Sequence, residues 1–309
     1  MSKITVKTIE YSTFGKCLEI SNGIVKVVAT VDIGPRIINY SFVDGENIFF
    51  EDTRQEIANT NPAIEVFGKG CEFRIRGGHR LWTSPEAMPR TYYPDNEPIS
   101  YEITDNGVIL VPPQQRWTQL QLKMQIELTE DSTDVTVNHF VTNKNAFEIE
   151  QAVWSLSVAS QGGLEVIPQP TENTGLLSNR QIALWSYTHL SDERAYWSDK
   201  YIYINQNPTI EKPYKLGIRL TNPTVFYFNH GDLFIKRFDS NPDGVYPDGG
   251  MNYETYTNHR ILEIESLGEL KKIAPDQTIT HKEYWSLHKE DMPEKDDAVM
   301  DNLLAKYAK

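Results

Sequence analysis

Two neighbouring segments alternate apolar and polar residues at a strict period of two: Leu120-Gln121-Leu122-Lys123-Met124-Gln125-Ile126-Glu127-Leu128 and Asp134-Val135-Thr136-Val137-Asn138-His139-Phe140-Val141. A polar turn beginning Thr129-Glu130-Asp131-Ser132 separates them. Period two sends successive side chains to opposite faces of a strand, whereas a helix needs a period near 3.6. The pair therefore reads as an antiparallel meander with one buried face. The same signal recurs along the chain. Lys16-Cys17-Leu18-Glu19-Ile20 and residues 24–31 flank Asn22-Gly23, a strong hairpin signal. Residues 36–42 and 47–50 flank Asp44-Gly45, and strand-like runs follow at 99–103, 107–111, 152–158, 201–204, 216–220, 225–228, 233–238, 261–265 and 284–287. No strand–helix–strand alternation appears, so a doubly wound fold is excluded. The one helical pattern is at the end, over about 293–308. Pro293 suits a first turn, and Val299, Met300, Leu303 and Tyr307 fall at helical spacing. The 309 residues carry no Ser/Gly linker, repeat or low-complexity tract. They read as an all-β protein, one large β-sandwich domain over 1–309 with a short C-terminal helix covering a sheet.

Composition narrows the function classes. The net charge is −13, which repels phosphate backbones and argues against nucleic-acid binding. No run approaches the ~20 apolar residues of a membrane span, and the N-terminus lacks the apolar stretch of a signal peptide. Two cysteines, Cys17 and Cys71, without CxxC spacing fit a reducing compartment. A cytoplasmic protein with no membrane partner is expected, as a monomer or homodimer. The 16 Tyr, 12 Phe and 6 Trp favour strands and also suit a sugar-binding face. The seven histidines are scattered, with no HExxH and no close pair, so no metal site is expected. Asp239-Ser240-Asn241-Pro242-Asp243-Gly244 imitates the start of a calcium loop, but its closing position is Gly250 rather than Glu, and it reads as a turn. No GxSxG or phosphate-loop motif is present, and no cofactor is called for.

Three stretches carry candidate chemistry. In Gly77-Gly78-His79-Arg80-Leu81-Trp82 a double glycine permits a close backbone approach, and an imidazole, a guanidinium and an indole follow. These groups suit a ring-shaped polar ligand: an aromatic face stacks on the C–H face of a sugar while Arg and His bond its oxygens. Glu263 and Glu265, two apart in a strand-like run, share one face. Two carboxylates so close resist joint ionisation, which raises one pKa into the range of a general acid or base. The segment from Tyr246 to Asn258 is rich in hydrogen-bonding groups, among them Asp248, Glu254 and Asn258, and suits a binding loop. Trp154 fits either a core position or a stacking platform.

The ordered set of motifs resembles the galactose-mutarotase-like (aldose 1-epimerase-like) superfamily, and more closely one of its uncharacterised bacterial branches. It comprises the opening hairpin with Asp32-Ile33-Gly34-Pro35-Arg36-Ile37-Ile38, then Gly77 to Trp82, then Val141-Thr142-Asn143, then Leu262-Glu263-Ile264-Glu265, Ala274-Pro275-Asp276-Gln277 and Tyr284-Trp285-Ser286-Leu287. These span residues ~15 to 290, nearly the whole chain. The resemblance implies a β-supersandwich with a sugar cleft on the concave face of its larger sheet. It further implies a late Glu as general base on the anomeric hydroxyl and a His that protonates the ring oxygen. Glu265 matches the base, with Glu263 its neighbour, and His79 and Arg80 match sugar-contacting positions. The segment that holds the family's catalytic His reads Val153-Trp154-Ser155-Leu156-Ser157 here, with Trp154 at the His position. Trp cannot act as a general acid. The expectation is therefore a sugar mutarotase or epimerase with Glu265 as base and His79 as acid, its substrate held by Arg80, Trp82, Trp154, Asp248, Glu254, Asn258 and Glu263. The alternative is a non-catalytic carbohydrate-binding or sensing protein on the same scaffold.

Overall fold

The computed structural model describes residues 4–307. It holds two large antiparallel sheets, of 11 and 10 strands, whose apolar inner faces share one core drawn from both. The all-β supersandwich expected from the sequence is present. The pair that alternates most cleanly forms Leu120–Leu128 and Val135–Asn143, paired from Leu128 opposite Val135 to Leu120 opposite Asn143. Val135, Val137, His139, Val141 and Asn143 are buried while the residues between them are half-buried, as a strand with one core-facing side requires. Asn22 fixes the adjoining turns. Its Oδ1 accepts the backbone N–H of Ile24 and Val25, and its Nδ2 donates to the carbonyls of Thr129 and Ser132.

The centre of the 11-stranded sheet runs Gly78–Ser84, Ile149–Ala159, Leu262–Leu267, Tyr253–Thr257 and Tyr214–Ile218, each beside the next. Residues 151–159 are buried on both faces, so Val153 and Ala159 face the other sheet while Trp154 and Leu156 face outward. One face packs on the other sheet. The other face carries Trp154, Leu156 and Leu267 in a small cluster with Trp82.

The terminal helix spans Asp297–Tyr307 and starts later than Pro293. Its start is fixed by Asp296, whose Oδ1 accepts the N–H groups of Ala298 and Val299. Met300, buried, and Leu303, Leu304 and Tyr307, half-buried, pack on Leu164, Phe226 and Ile235 of the 10-stranded sheet, a fully buried side chain such as Met300 contributing about 1.5–3 kcal/mol. Val299 stays 38% exposed, off the buried face. Positions 308 and 309 and the N-terminal Met1 to Lys3 lie outside the described residues.

Candidate functional site

The double glycine sets the register of the site. Gly77 and Gly78 have φ of +94° and +62°. A Cβ on Gly77 would lie 2.1 Å from the Phe50 carbonyl oxygen, and one on Gly78 2.2 Å from that of Ile37. Only glycine fits. From there the strand alternates. Arg80 pairs with Leu156, and Leu156 with Glu265, so these three share the outer face, turned away from the second sheet. Glu265 pairs in turn with Glu254, Glu263 with Tyr256, and Tyr256 with Lys215. Five strands thus bring Arg80, Trp82, Trp154, Lys215, Glu254, Tyr256, Glu263 and Glu265 to one face.

Glu265 is fully buried. Its Oε2 accepts the Trp154 indole N–H at 3.0 Å and the Lys215 ammonium at 3.1 Å, while its Oε1 has no hydrogen-bond partner. The same ammonium lies 2.7 Å from Glu254 Oε2, and Glu254 Oε1 is likewise buried and unpartnered. Arg80 Nη1 lies 2.8 Å from Glu263 Oε1, and its guanidinium sits 4.1 Å over the Trp82 ring. The Lys215 nitrogen is held between the Trp154 and Trp185 rings at 4.8 and 4.7 Å. Trp82 and Trp154 meet edge to face at 5.5 Å.

Burial pushes the Glu265 carboxyl up to about 6, against the downward pull of Lys215 and with a further push from Glu263. Burial also raises Glu254, well above the carboxylate range, although Lys215 opposes it. Burial works against the Lys215 ammonium, but Glu265 and Glu254 more than offset it and its pKa rises. The arrangement is a pair of carboxyl groups around one cation, walled by indoles, in a place nearly closed to water.

His79 is not part of it. It occupies the opposite parity to Arg80 and points between the sheets, where it is fully buried. Its Nε2 lies 2.7 Å from His139 Nε2 and its Nδ1 2.9 Å from Ser157 Oγ. His139 Nδ1 in turn bonds the His281 carbonyl at 3.1 Å. Lys236 donates to Ser157 Oγ and the Ile264 carbonyl and pairs with Glu283 at 2.9 Å. Burial and the neighbouring His139 hold His79 well below the usual imidazole range. A neutral ring on the far side of the sheet cannot serve as the acid to Glu265, so that expected pairing is corrected by strand parity. His79, His139 and Glu283 do bring ligand-type atoms within 4.8 Å of one another. Lys236 already supplies the cation there, and the hydrogen bonds above account for the ring nitrogens of His79 and His139, so no metal is needed to explain the cluster.

The remaining expected residues lie at the margin. Asp248 is exposed on a turn with φ +52° and accepts from Ser84 Oγ at 3.4 Å. Asn258 caps the turn between two strands: its Oδ1 accepts the N–H of Arg260 and Ile261, leaving Nδ2 to meet the Tyr256 hydroxyl at 3.2 Å. In the calcium-like segment the carbonyls of Asn241, Pro242 and Gly244 are taken by the Arg219 guanidinium. A cavity of about 760 Å³, mouth included, opens beside Arg36, Leu81, Leu122 and Met124 and reaches the site only at Trp82. It contains none of the three carboxylates. Lys215 and Trp185 were not anticipated. The available signal was one lysine inside an otherwise apolar strand, Tyr214-Lys215-Leu216-Gly217-Ile218.

No known family's model matches the sequence, and no curated protein is similar to it. Solved structures are similar in shape. A protein provisionally assigned as an aldose 1-epimerase, from Klebsiella pneumoniae, superposes with a TM-score of 0.58 at 11% identity, over 99% of this chain and 86% of that one. A galactose mutarotase-like protein from Lactobacillus casei gives 0.53 at 10% identity, over 92% and 100%. The fold is the β-sandwich of these mutarotase-like structures. A TPR-domain-containing protein from Parabacteroides distasonis, at 0.59 and 12% identity, matches over 90% of this chain, which spans 48% of its length. The mutarotase-like sandwich thus also occurs as part of a longer protein. Among the described residues no helix is long and apolar enough to cross a membrane.

Proposed function

We propose that the outer face of the 11-stranded sheet binds a sugar and accelerates exchange between its anomers, with Glu265 as general base. The observation that carries this reading is the state of Glu265. It is a buried carboxylate with one oxygen fixed by Trp154 and Lys215 and the other unengaged, poised near pH 6. A base so placed takes the proton of an anomeric hydroxyl, the ring opens, and rotation about the C1–C2 bond precedes closure on the other face. Arg80 and Glu263 supply donors and acceptors for ring hydroxyls, and Trp82 a stacking surface. Glu254 and Glu265 have no exposed surface, so the sugar enters as the cover that includes Trp185 moves aside. That segment is held by a three-residue pairing, Ile182–Leu184 on the Tyr214–Ile218 strand, and by the Thr188 hydroxyl, which donates to the Lys215 carbonyl and accepts the Lys215 N–H. Polarimetry on freshly dissolved α-D-galactose and α-D-glucose tests the reading. Accelerated mutarotation is expected, and Glu265→Gln is expected to abolish it; an unchanged rate in that variant refutes the assignment.

A second reading is favoured by Trp154. At the position where the superfamily resemblance places a His, its indole N–H is spent on Glu265, and His79, His139 and His281 all lie off this face. A carbohydrate-binding protein would then show saturable sugar binding without exchange, lost in Trp82→Ala.

A further inference from the structure

Ring opening needs a proton on the ring oxygen as well as a base at the anomeric hydroxyl, and His79 stands behind the sheet. The proton-bearing groups that face Glu265 or its neighbours on the outer face include the Trp154 indole, the Lys215 ammonium, the Arg80 guanidinium, the Tyr256 and Tyr187 phenols and the Glu254 carboxyl. A guanidinium does not give up its proton, and burial raises the Tyr187 phenol. An indole N–H is a hydrogen-bond donor only. Lys215 is gripped by two carboxyl groups, at 2.7 and 3.1 Å, and holds its proton more firmly than a free lysine. Burial raises the Tyr256 phenol as well. Glu254 remains.

We infer that Glu254 is the general acid of this face, donating its proton to the sugar ring oxygen while Glu265 takes the proton of the anomeric hydroxyl. The inference rests on the sugar-isomerase reading above and adds the residue that completes it. Its geometry is a cross-strand pair. Glu254 lies directly opposite Glu265 in register, and both Oε2 atoms rest on one Lys215 nitrogen. The two oxygens that must be served, the anomeric hydroxyl and the ring oxygen, are attached to a single carbon, so two adjacent carboxyl groups suit them. Charge balance points the same way. Arg80 and Lys215 supply two positive charges and Glu263 and Glu265 two negative ones, so a neutral Glu254 leaves this buried group balanced. An ionised Glu254 would add an uncompensated charge with no exposed surface. Asp248, from the turn packed beside it, adds negative potential and favours the neutral form.

The proton count closes. Glu265 gains the proton of the anomeric oxygen as the bond from C1 to the ring oxygen breaks, and the ring oxygen gains the proton of Glu254. The open-chain aldehyde rotates about C1–C2. On closure the C1 bond re-forms, Glu254 recovers its proton from the former ring oxygen, and Glu265 returns its own to the carbonyl oxygen. Nothing is oxidised and no co-reactant is consumed.

Two measurements test this. In ¹³C-labelled protein the Glu254 carboxyl resonance, assigned by its loss in Glu254→Gln, is expected to keep its protonated shift at pH 7 while that of Glu265 titrates near 6. An ionised Glu254 at pH 7 overturns the inference. In polarimetry with α-D-galactose, Glu254→Gln is expected to lower kcat about 100-fold or more. KM should change little and the alkaline limb of the pH profile should disappear, while Glu254→Asp restores part of the rate. The amide still accepts from Lys215, so a merely structural role would move thermal stability and KM rather than the pH profile. A folded Glu254→Gln protein with the wild-type rate overturns the acid role alone. A wild-type protein that accelerates neither α-D-galactose nor α-D-glucose overturns the sugar-isomerase reading, and the acid role with it.

Discussion

A buried lysine–glutamate cluster lies against each face of the 11-stranded sheet, the inner one with its Lys236 and Glu283 supplied by the 10-stranded sheet, and the two differ in one respect. On the inner face Lys236, Glu283, His79, His139, Ser157 and Ser266 satisfy one another. Lys236 reaches Ser157, the Ile264 carbonyl and Glu283, and Ser266 and the Trp285 indole also donate to Glu283. On the outer face Glu265 Oε1 and Glu254 Oε1 are just as buried and remain unpartnered. Burial of charge is therefore common to both, and of the two clusters only the outer one holds buried carboxylate oxygens without a partner. Leaving a buried acceptor unmet costs about 1–3 kcal/mol. The inner cluster avoids that cost and acts as polar core; the outer one bears it, as a site prepared for something else does.

The contrast can be broken most forcefully at the lysines. Lys236→Met leaves Glu283 buried beside neutral partners and is expected to cost about 3–5 kcal/mol, read as a lower denaturant midpoint at pH 7.5. Lys215→Met should cost clearly less, because Glu265 already titrates near 6 and can take up a proton instead. Equal losses would erase the distinction. Acid comes next. Burial depresses His139 and His281 to about 3 and places His79 well below 6.5. Unfolded imidazoles take their protons near 6.5, so the unfolded chain binds more protons across this window. Taken alone, the imidazoles thus lower stability as pH drops from 6.5 toward 3, by about 1.4 kcal/mol per pH unit each. Three carboxyl groups work oppositely: Glu165, pushed up to about 8 by burial, Glu265, raised to about 6, and Glu254, raised well above the carboxylate range. The fold keeps their protons above 4.5, which offsets the three imidazoles between about 4.5 and 6 and leaves the imidazole slope unopposed only below 4.5. Urea midpoints from about pH 3 to 4.5 check the slope, and a flat profile there would contradict the neutral-histidine core. Smaller is the effect at Trp82, where substitution by Ala removes the ring under Arg80 and should weaken galactose binding about tenfold in calorimetry. Smallest is a matter of ligand choice. Arg80 and Lys215 are both already paired, so a sugar phosphate should bind no more tightly than its parent sugar.

Much of this was legible in the chain. Period two in Leu120 to Val141 specified an antiparallel sheet with one buried face, and it placed Glu263 and Glu265 side by side. The same rule, applied to Gly77 to Trp82, separates His79 from Arg80, since neighbours in a strand face opposite ways. Grouping them as one site overrode a geometric constraint already present in the sequence. Glu254 was legible as a polar residue near the site but not as the partner of Glu265, because cross-strand register depends on turn lengths that a single sequence leaves open. Lys215 and Trp185 come from a distant strand and its flanking segment, and only the tertiary fold brings them to Glu265. The helix start was displaced because Asp296, three residues past Pro293, provides the stronger cap.

The central claim is that chemistry belongs to the outer face and structure to the inner one. Mutarotation of α-D-galactose, measured per folded molecule in Glu265→Gln and His79→Gln side by side, tests it most directly. The account predicts that Glu265→Gln loses acceleration while keeping its melting temperature within a few degrees, and that His79→Gln is destabilised while its folded fraction keeps the wild-type rate. Loss of acceleration in His79→Gln with full activity in Glu265→Gln would contradict it.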